Sequence, residues 1–199
     1  MALFKNRYKT ESNRLKNWDY SREAIYFIIL VTQNRECIFG AIEAGKMILN
    51  ANGKIIETEL LKSIVIREHW FFHNWIIMPN HIHLLIEIVS PIQTHDVEAP
   101  DTETHNVETH CSASLQTILS RKPNSISSFV AIFKSVTTKQ INSQHNIDAL
   151  QCGSTEFQNK IWQSNYHDHI VRNDNSFEKI YHYIKNNPKN WNMDSINSY

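Results

Sequence analysis

Apolar residues recur along this chain in short runs of strand length and in longer stretches of helical period, and that rhythm predicts its elements. Ala24–Thr32 is a β-branched and aromatic run bounded by polar residues, which reads as a strand buried on both faces. Cys37–Asn50 contains Gly40, Gly45 and a short Lys46–Leu49 strand, and Asn52-Gly53 is expected to turn the chain. From Lys54 to Ile66, residues Ile56, Leu60, Leu61 and Ile64 fall at helical spacing, the mark of a helix laid on a sheet. Trp70–Met78 and His81–Val89 are strand-like runs parted only by Pro79-Asn80, a junction suited to a tight turn, so they predict an antiparallel hairpin. Ser90–Asn124 is polar and breaks the pattern. A second helix over Ser125–Ile141, capped by Asn124 or Ser125, follows from the spacing of Ile126, Phe129, Val130, Phe133, Val136 and Ile141. Lys160–Val171 contains a further short strand, and Asn175–Asn186 forms a third helix stopped by Asn187-Pro188. The simplest arrangement of these elements is an α+β, ferredoxin-like antiparallel sheet with its helices packed on one face.

Size and composition narrow the class. With 199 residues and 41% hydrophobic content the chain suits one domain with one core. The expected organisation is a basic N-terminal arm over 1–22, a single domain over 23–192 with a polar acidic insertion at about 90–124, and a tail over 193–199. No apolar run approaches the ~18 residues of a membrane span, and no apolar stretch follows the basic start, so a cytoplasmic protein without membrane contact is expected. Three cysteines, Cys37, Cys111 and Cys152, match neither a disulfide framework nor a paired-cysteine zinc motif and are read as free thiols.

The net charge of zero conceals an uneven distribution. Between Ser90 and His110 lie five acids and no Lys or Arg, so the remainder holds 20 basic against 15 acidic residues. Met1–Arg22 carries six basic and two acidic residues with Phe4, Tyr8, Trp18 and Tyr20 interleaved. Cations beside aromatic faces suit single-stranded nucleic acid, although a solvated arm of this composition is commonplace.

Chemistry gathers on the second strand of the hairpin. Alternation places His81, His83, Leu85 and Glu87 on one face and Ile82, Leu84, Ile86 and Ile88 on the other. Two imidazoles two residues apart stand roughly 7 Å Cα to Cα, close enough to converge on one divalent ion. The plainer alternative is a half-exposed polar pair, and the 11 histidines of the chain make some such pair expected. Glu87, Cys111 and Cys152 are the third ligands spacing offers, with Glu87 set further along the strand. On the last helix Tyr183 and Asn187 are four apart and share a side, beside the apolar stripe of Phe177, Ile180 and Ile184. Tyr181 and Tyr166 are further tyrosine candidates that periodicity does not separate from Tyr183.

Met78-Pro-Asn-His-Ile-His-Leu-Leu-Ile-Glu-Ile, followed about 100 residues later by Tyr183-Ile-Lys-Asn-Asn-Pro, resembles the single-tyrosine transposases that carry a His-hydrophobe-His motif, and most nearly the REP-associated tyrosine transposases. Phe133-Lys-Ser-Val-Thr-Thr-Lys-Gln-Ile-Asn and Ile161-Trp-Gln-Ser-Asn-Tyr-His-Asp-His-Ile-Val-Arg-Asn support the likeness, which runs from about Leu15 to Trp191 outside the acidic insertion. The resemblance implies a ferredoxin-like or RNA-recognition-like sheet, with His81 and His83 binding Mg²⁺ or Mn²⁺ and Asn187 as third metal ligand. It further implies that Tyr183 attacks a phosphodiester of single-stranded or hairpin DNA, leaving a 5′-phosphotyrosine and a free 3′-OH. Members of the family act as monomers or as homodimers, and a homodimer is one expected partner state. His167 and His169 receive no role from it. Two other functions fit the same residues: a nucleic-acid-binding sheet that does not cut, and a hydrolase in which His81 and His83 activate water without a covalent adduct.

Overall fold

The computed structural model describes residues 3, 4, 7, 8, 15, 18–89, 122–151 and 159–197. Leu3–Phe4 (β1) and Arg7–Tyr8 (β2) pair with each other. The domain proper runs β3 (Ala24–Val31), β4 (Gly40–Glu43), β5 (Lys46–Leu49), α1 (Ala51–Val65), β6 (Trp70–Met78), β7 (His81–Ile88), α2 (Ile126–Gln151), β8 (His167–Val171) and α3 (Asp174–Asn186). A 3-10 turn over Asn187–Met193 follows α3. The acidic insertion from Ser90 through residue 121, most of the basic arm, and Cys111 and Cys152 lie outside the described residues. Cys37 is an exposed free thiol, as read from the sequence.

The main sheet has four strands in the order β6-β7-β3-β8, each pair antiparallel. With α1 leading into β6 and α2 into β8, this is the ferredoxin-like order, and the expected α+β class holds. Side-chain alternation splits β7. Ile82, Leu84, Ile86 and Ile88 join Tyr26, Ile28 and Leu30 of β3 in a core covered by Ile56 and Leu60 of α1 and Ile126, Phe129, Phe133 and Ile141 of α2. Burial of each large side chain in such a core contributes about 1.5–3 kcal/mol.

Three local expectations shift. Asn52-Gly53 is not a turn but the first turn of α1, because the Asn50 side chain caps the helix by accepting from Gly53 N–H. Gly40–Glu43 is a strand, paired with Lys46–Leu49 through a tight turn whose two central residues, Ala44 and Gly45, both have positive φ. Ser125 caps α2 by accepting from Ser128 N–H, and the helix runs on to Gln151 rather than ending at Ile141. One feature of the layout differs as well. α1 and α2 share a face as expected, whereas α3 covers the opposite one, with Ile184 packed on Leu85 and Val171 beside Phe27, Ile76, Phe177 and Ile180. Because β7 is buried on both faces, its histidine side needs a cover, and α3 supplies it.

Candidate functional site

His81 and His83 converge under α3, as their spacing on one strand predicts. Their Nε2 atoms are 2.8 Å apart, and both residues are fully buried. Neighbouring hydrogen bonds assign the His81 tautomer. The Asn80 amide donates to the carbonyls of Arg35 (3.0 Å) and Ile196 (3.1 Å), so its Oδ1 must accept from His81 Nδ1–H at 2.8 Å. His81 Nε2 is then a lone pair aimed into the site and accepts from His83 Nε2–H. The remaining nitrogen, His83 Nδ1, is a buried lone pair without a partner. Burial holds His81 down to about 4 against a smaller opposing pull from the Asp194 carboxylate. Burial, and then the neighbouring His81, hold His83 well below the ordinary imidazole value. Both rings are therefore neutral at pH 7, the form a metal ligand must take.

α3 and the turn after it bring the other groups. Tyr183 stands above the pair with its ring 5.1 Å from that of His83 and 6.2 Å from that of Phe27, and the residue keeps 42% of its surface exposed. Tyr181 stacks on Phe177, and Tyr166 is buried in the main core near Ser127, so of the three tyrosine candidates only Tyr183 reaches this place. Asn187 caps α3 at helical φ and ψ, which preserves its alignment one turn beyond Tyr183. Its Nδ2 donates to Asp194 Oδ2 at 2.7 Å, and its Oδ1 is buried without a partner. Of the third ligands that spacing suggested, Glu87 is drawn instead to His73 on β6 (2.7 Å).

Asp194 is the group that sequence reasoning missed. The 3-10 turn carries Trp191 to within 6.0 Å of the His81 ring, and Asp194 follows with its backbone N–H bonded to Trp191 O. An Asx turn, in which Oδ1 accepts from Ile196 N–H at 2.8 Å, aims Oδ2 inward, 3.8 Å from His81 Nε2. The Tyr183 hydroxyl donates to that same oxygen over a long 3.4 Å. Desolvation and the adjacent Asp194 charge push the Tyr183 phenol up to about 12. The only hint in the sequence was the buried-aromatic signature of Trp191 in a polar tail, which says that the chain folds back and not where Asp194 points.

One nitrogen from each imidazole and one Asp194 oxygen all lie within 4.8 Å of one another. Two neutral imidazoles and a carboxylate suit a divalent cation, and the unpartnered Asn187 Oδ1 beside them is a further hard donor. The donor set therefore fits the metal that the sequence motifs implied.

No family model matches the chain. It is 30% identical over 190 residues to an uncharacterized protein of Haemophilus influenzae, across 93% of this chain and 91% of that one. Among solved structures, that of a REP-associated tyrosine transposase bound to a REP hairpin superposes with a TM-score of 0.52 at 15% identity, covering 94% of this chain and 76% of the other. A protein from Deinococcus radiodurans aligns at a TM-score of 0.41 and 14% identity over 87% of this chain and 96% of that one, too loose a likeness to carry an argument.

Proposed function

We propose, from the premise that the chain belongs to one family with the Haemophilus influenzae protein and has the fold of a REP-associated tyrosine transposase, that it cleaves and rejoins DNA strands with Tyr183 as nucleophile. The observation that carries the reading is the convergence on Asp194 Oδ2 of the Tyr183 hydroxyl at 3.4 Å and His81 Nε2 at 3.8 Å, with His83 Nε2 beside the latter. A nucleophile and a paired-imidazole site thus face one small space, half open to solvent at Tyr183. The family resemblance of the two motifs and the shared fold support the same reading.

With the His83 proton moved from Nε2 to its unpartnered Nδ1, His81 and His83 would hold Mg²⁺ or Mn²⁺, and Asp194 and the Asn187 side-chain oxygen would complete the protein's share of the ligands. A divalent ion so bound supplies Lewis-acid polarisation of the scissile phosphate. The chain's own residues do the rest. Asn80 keeps the His81 lone pair turned toward the site, and α3 holds the phenol over it. Tyr183 is fully protonated at pH 7, so its proton must leave as its oxygen attacks phosphorus, and Asp194 Oδ2 is the acceptor already in contact. The bond from phosphorus to the 3′ oxygen breaks and that oxygen takes up a proton from water, which leaves a 5′-phosphotyrosine, a free 3′-OH and the phenol proton on Asp194. Because the phosphoester energy is retained in the adduct, a second 3′-OH reverses the step and joins the strands without a nucleotide cofactor. Single-stranded or hairpin DNA is the substrate whose backbone has the freedom this exchange requires.

The test is incubation of the protein with labelled hairpin DNA carrying a single-stranded flank and Mn²⁺, followed by denaturation. A covalent protein–DNA band is expected, and Tyr183→Phe removes it while leaving DNA affinity nearly unchanged. Cleavage without an adduct points to a hydrolase, and binding without cleavage to a non-catalytic module; either overturns the proposal. Persistence of the adduct in Tyr183→Phe reassigns the nucleophile.

A further inference from the structure

A cleft of about 530 Å³ lies between α2 and the segment entering β8, on the α1/α2 side of the sheet and away from the histidine face. Lys134, Lys139 and Lys160 line it, together with Thr138, Asn142 and the base of Trp162. No carboxylate is among its described lining residues, although the whole chain carries as many acids as bases. The described lining is thus cationic, and its remaining described polar groups are hydroxyls and amides that complement phosphate oxygens.

Its walls are tied together. Lys134 Nζ donates to the carbonyls of Gln163 (2.8 Å) and Asn165 (2.9 Å), and Trp162 Nε1–H donates to Thr137 Oγ1 at 3.0 Å. Asn142 exchanges two bonds with the backbone of Asn159, at 3.1 and 3.3 Å. These links run from helix to loop along the length of the cleft, so the lysines are presented on a preformed surface. The loop is in turn joined to the catalytic end of the sheet. Gln163 N–H donates to Val31 O, Trp162 bridges to Thr32, and Val31 is the register partner of His81. The loop that forms one wall of the cleft is therefore tied to the end of β3 that pairs with the start of β7, next to the Asn80-His81 corner.

We infer that this lysine cleft docks the sugar-phosphate backbone of the DNA beside the cleaved phosphate, holding the paired stem of a hairpin while its single-stranded flank reaches Tyr183. The inference rests on the reading of the chain as a DNA-processing enzyme and adds the surface that places the substrate. Lysine ammoniums act as point charges on phosphates, so this surface sets position and affinity and reads no bases.

The experiment compares the full-length protein with Lys139→Ala/Lys160→Ala, both sites exposed, and with Lys46→Ala/Lys54→Ala as an equal change of charge elsewhere. Affinity for a hairpin with a single-stranded flank is measured by fluorescence anisotropy from 50 to 300 mM salt. Adduct formation on an unpaired oligonucleotide at saturating concentration is measured alongside. The cleft pair is expected to lose about tenfold or more in hairpin affinity, with the slope of log affinity on log salt reduced by about 1.8. The control pair is expected to match wild type, and adduct yield on the unpaired strand is unchanged in all three. Wild-type hairpin affinity and slope in the cleft pair, an equal loss in the control pair, or no hairpin binding by wild type overturns the inference. Selective loss in the cleft pair with no adduct from any protein keeps the docking surface and overturns the nucleophile.

Discussion

The two faces of the main sheet are built from the same strands and do opposite work. Toward α1 and α2, β3 and β7 present Tyr26, Ile28, Leu30, Ile82, Leu84 and Ile86 to an apolar interior in which all six are fully buried. Toward α3, the same strands present Phe27, His81, His83 and Leu85 to a smaller cluster that holds two neutral imidazoles and a carboxylate. One face has hydrophobic burial to spare. The other places buried polar groups, two of them unpartnered at His83 Nδ1 and Asn187 Oδ1, where an apolar side chain would pack better. A strand anchored so firmly on one side tolerates costly groups on the other, and that division gives β7 both rigidity and chemistry.

Substitutions on alternate residues of β7 should separate the two roles. His81→Ala is expected to lower adduct formation by about a thousandfold or more, the scale of several kcal/mol of lost Lewis-acid assistance, while the folded far-ultraviolet spectrum is retained. Removal of divalent ions with EDTA should reproduce that loss in the wild type and change nothing further in the variant. Three residues along, Leu84→Ala should do the reverse: denaturant melts are expected to show about 2–5 kcal/mol of destabilisation, with residual activity tracking the folded fraction. Normal activity in His81→Ala, or an undiminished midpoint in Leu84→Ala, would dissolve the distinction between the faces.

A smaller effect is expected at the turn that closes the histidine face. Asp194→Asn removes the charge that raises the Tyr183 phenol, so ultraviolet titration should find its pKa below the wild-type value of about 12. Adduct formation should fall by about 10–100-fold, as for other groups that orient or complete a metal site.

The mildest probe is pH. His81 titrates at about 4 when folded, below the ordinary imidazole value it regains when unfolded. Between about 4 and 6.5 the unfolded chain thus holds more protons, and stability rises with pH. Acidification from pH 7 to 5 should lower the melting temperature, and less steeply in His81→Gln; equal slopes would mean that the buried ring carries no such linkage.

Much of this was legible in the chain. A period of two on β7 separates histidines from isoleucines, and the Phe177, Ile180, Ile184 stripe sets Tyr183 at its border, because local geometry alone fixes which side chains share a face. The side of the sheet taken by α3 was not legible, since an apolar stripe demands a partner without naming one. Gly40–Glu43 escaped because its partner strand and the positive φ of Ala44 and Gly45, not its own composition, make it extended.

The amino-acid order by itself determined most of the elements, the ferredoxin-like class and the pairing of two imidazoles on one strand face, which follow from periodicity and spacing, while it left three tyrosines as candidates. Tertiary structure decided that Asn80 fixes the His81 tautomer and that Asp194 enters the site from a polar tail. It also decided that α2 and the β8 approach gather three lysines into one cleft. Those are contacts between residues far apart in sequence, and they come into being only when burial of the apolar faces brings distant backbone together.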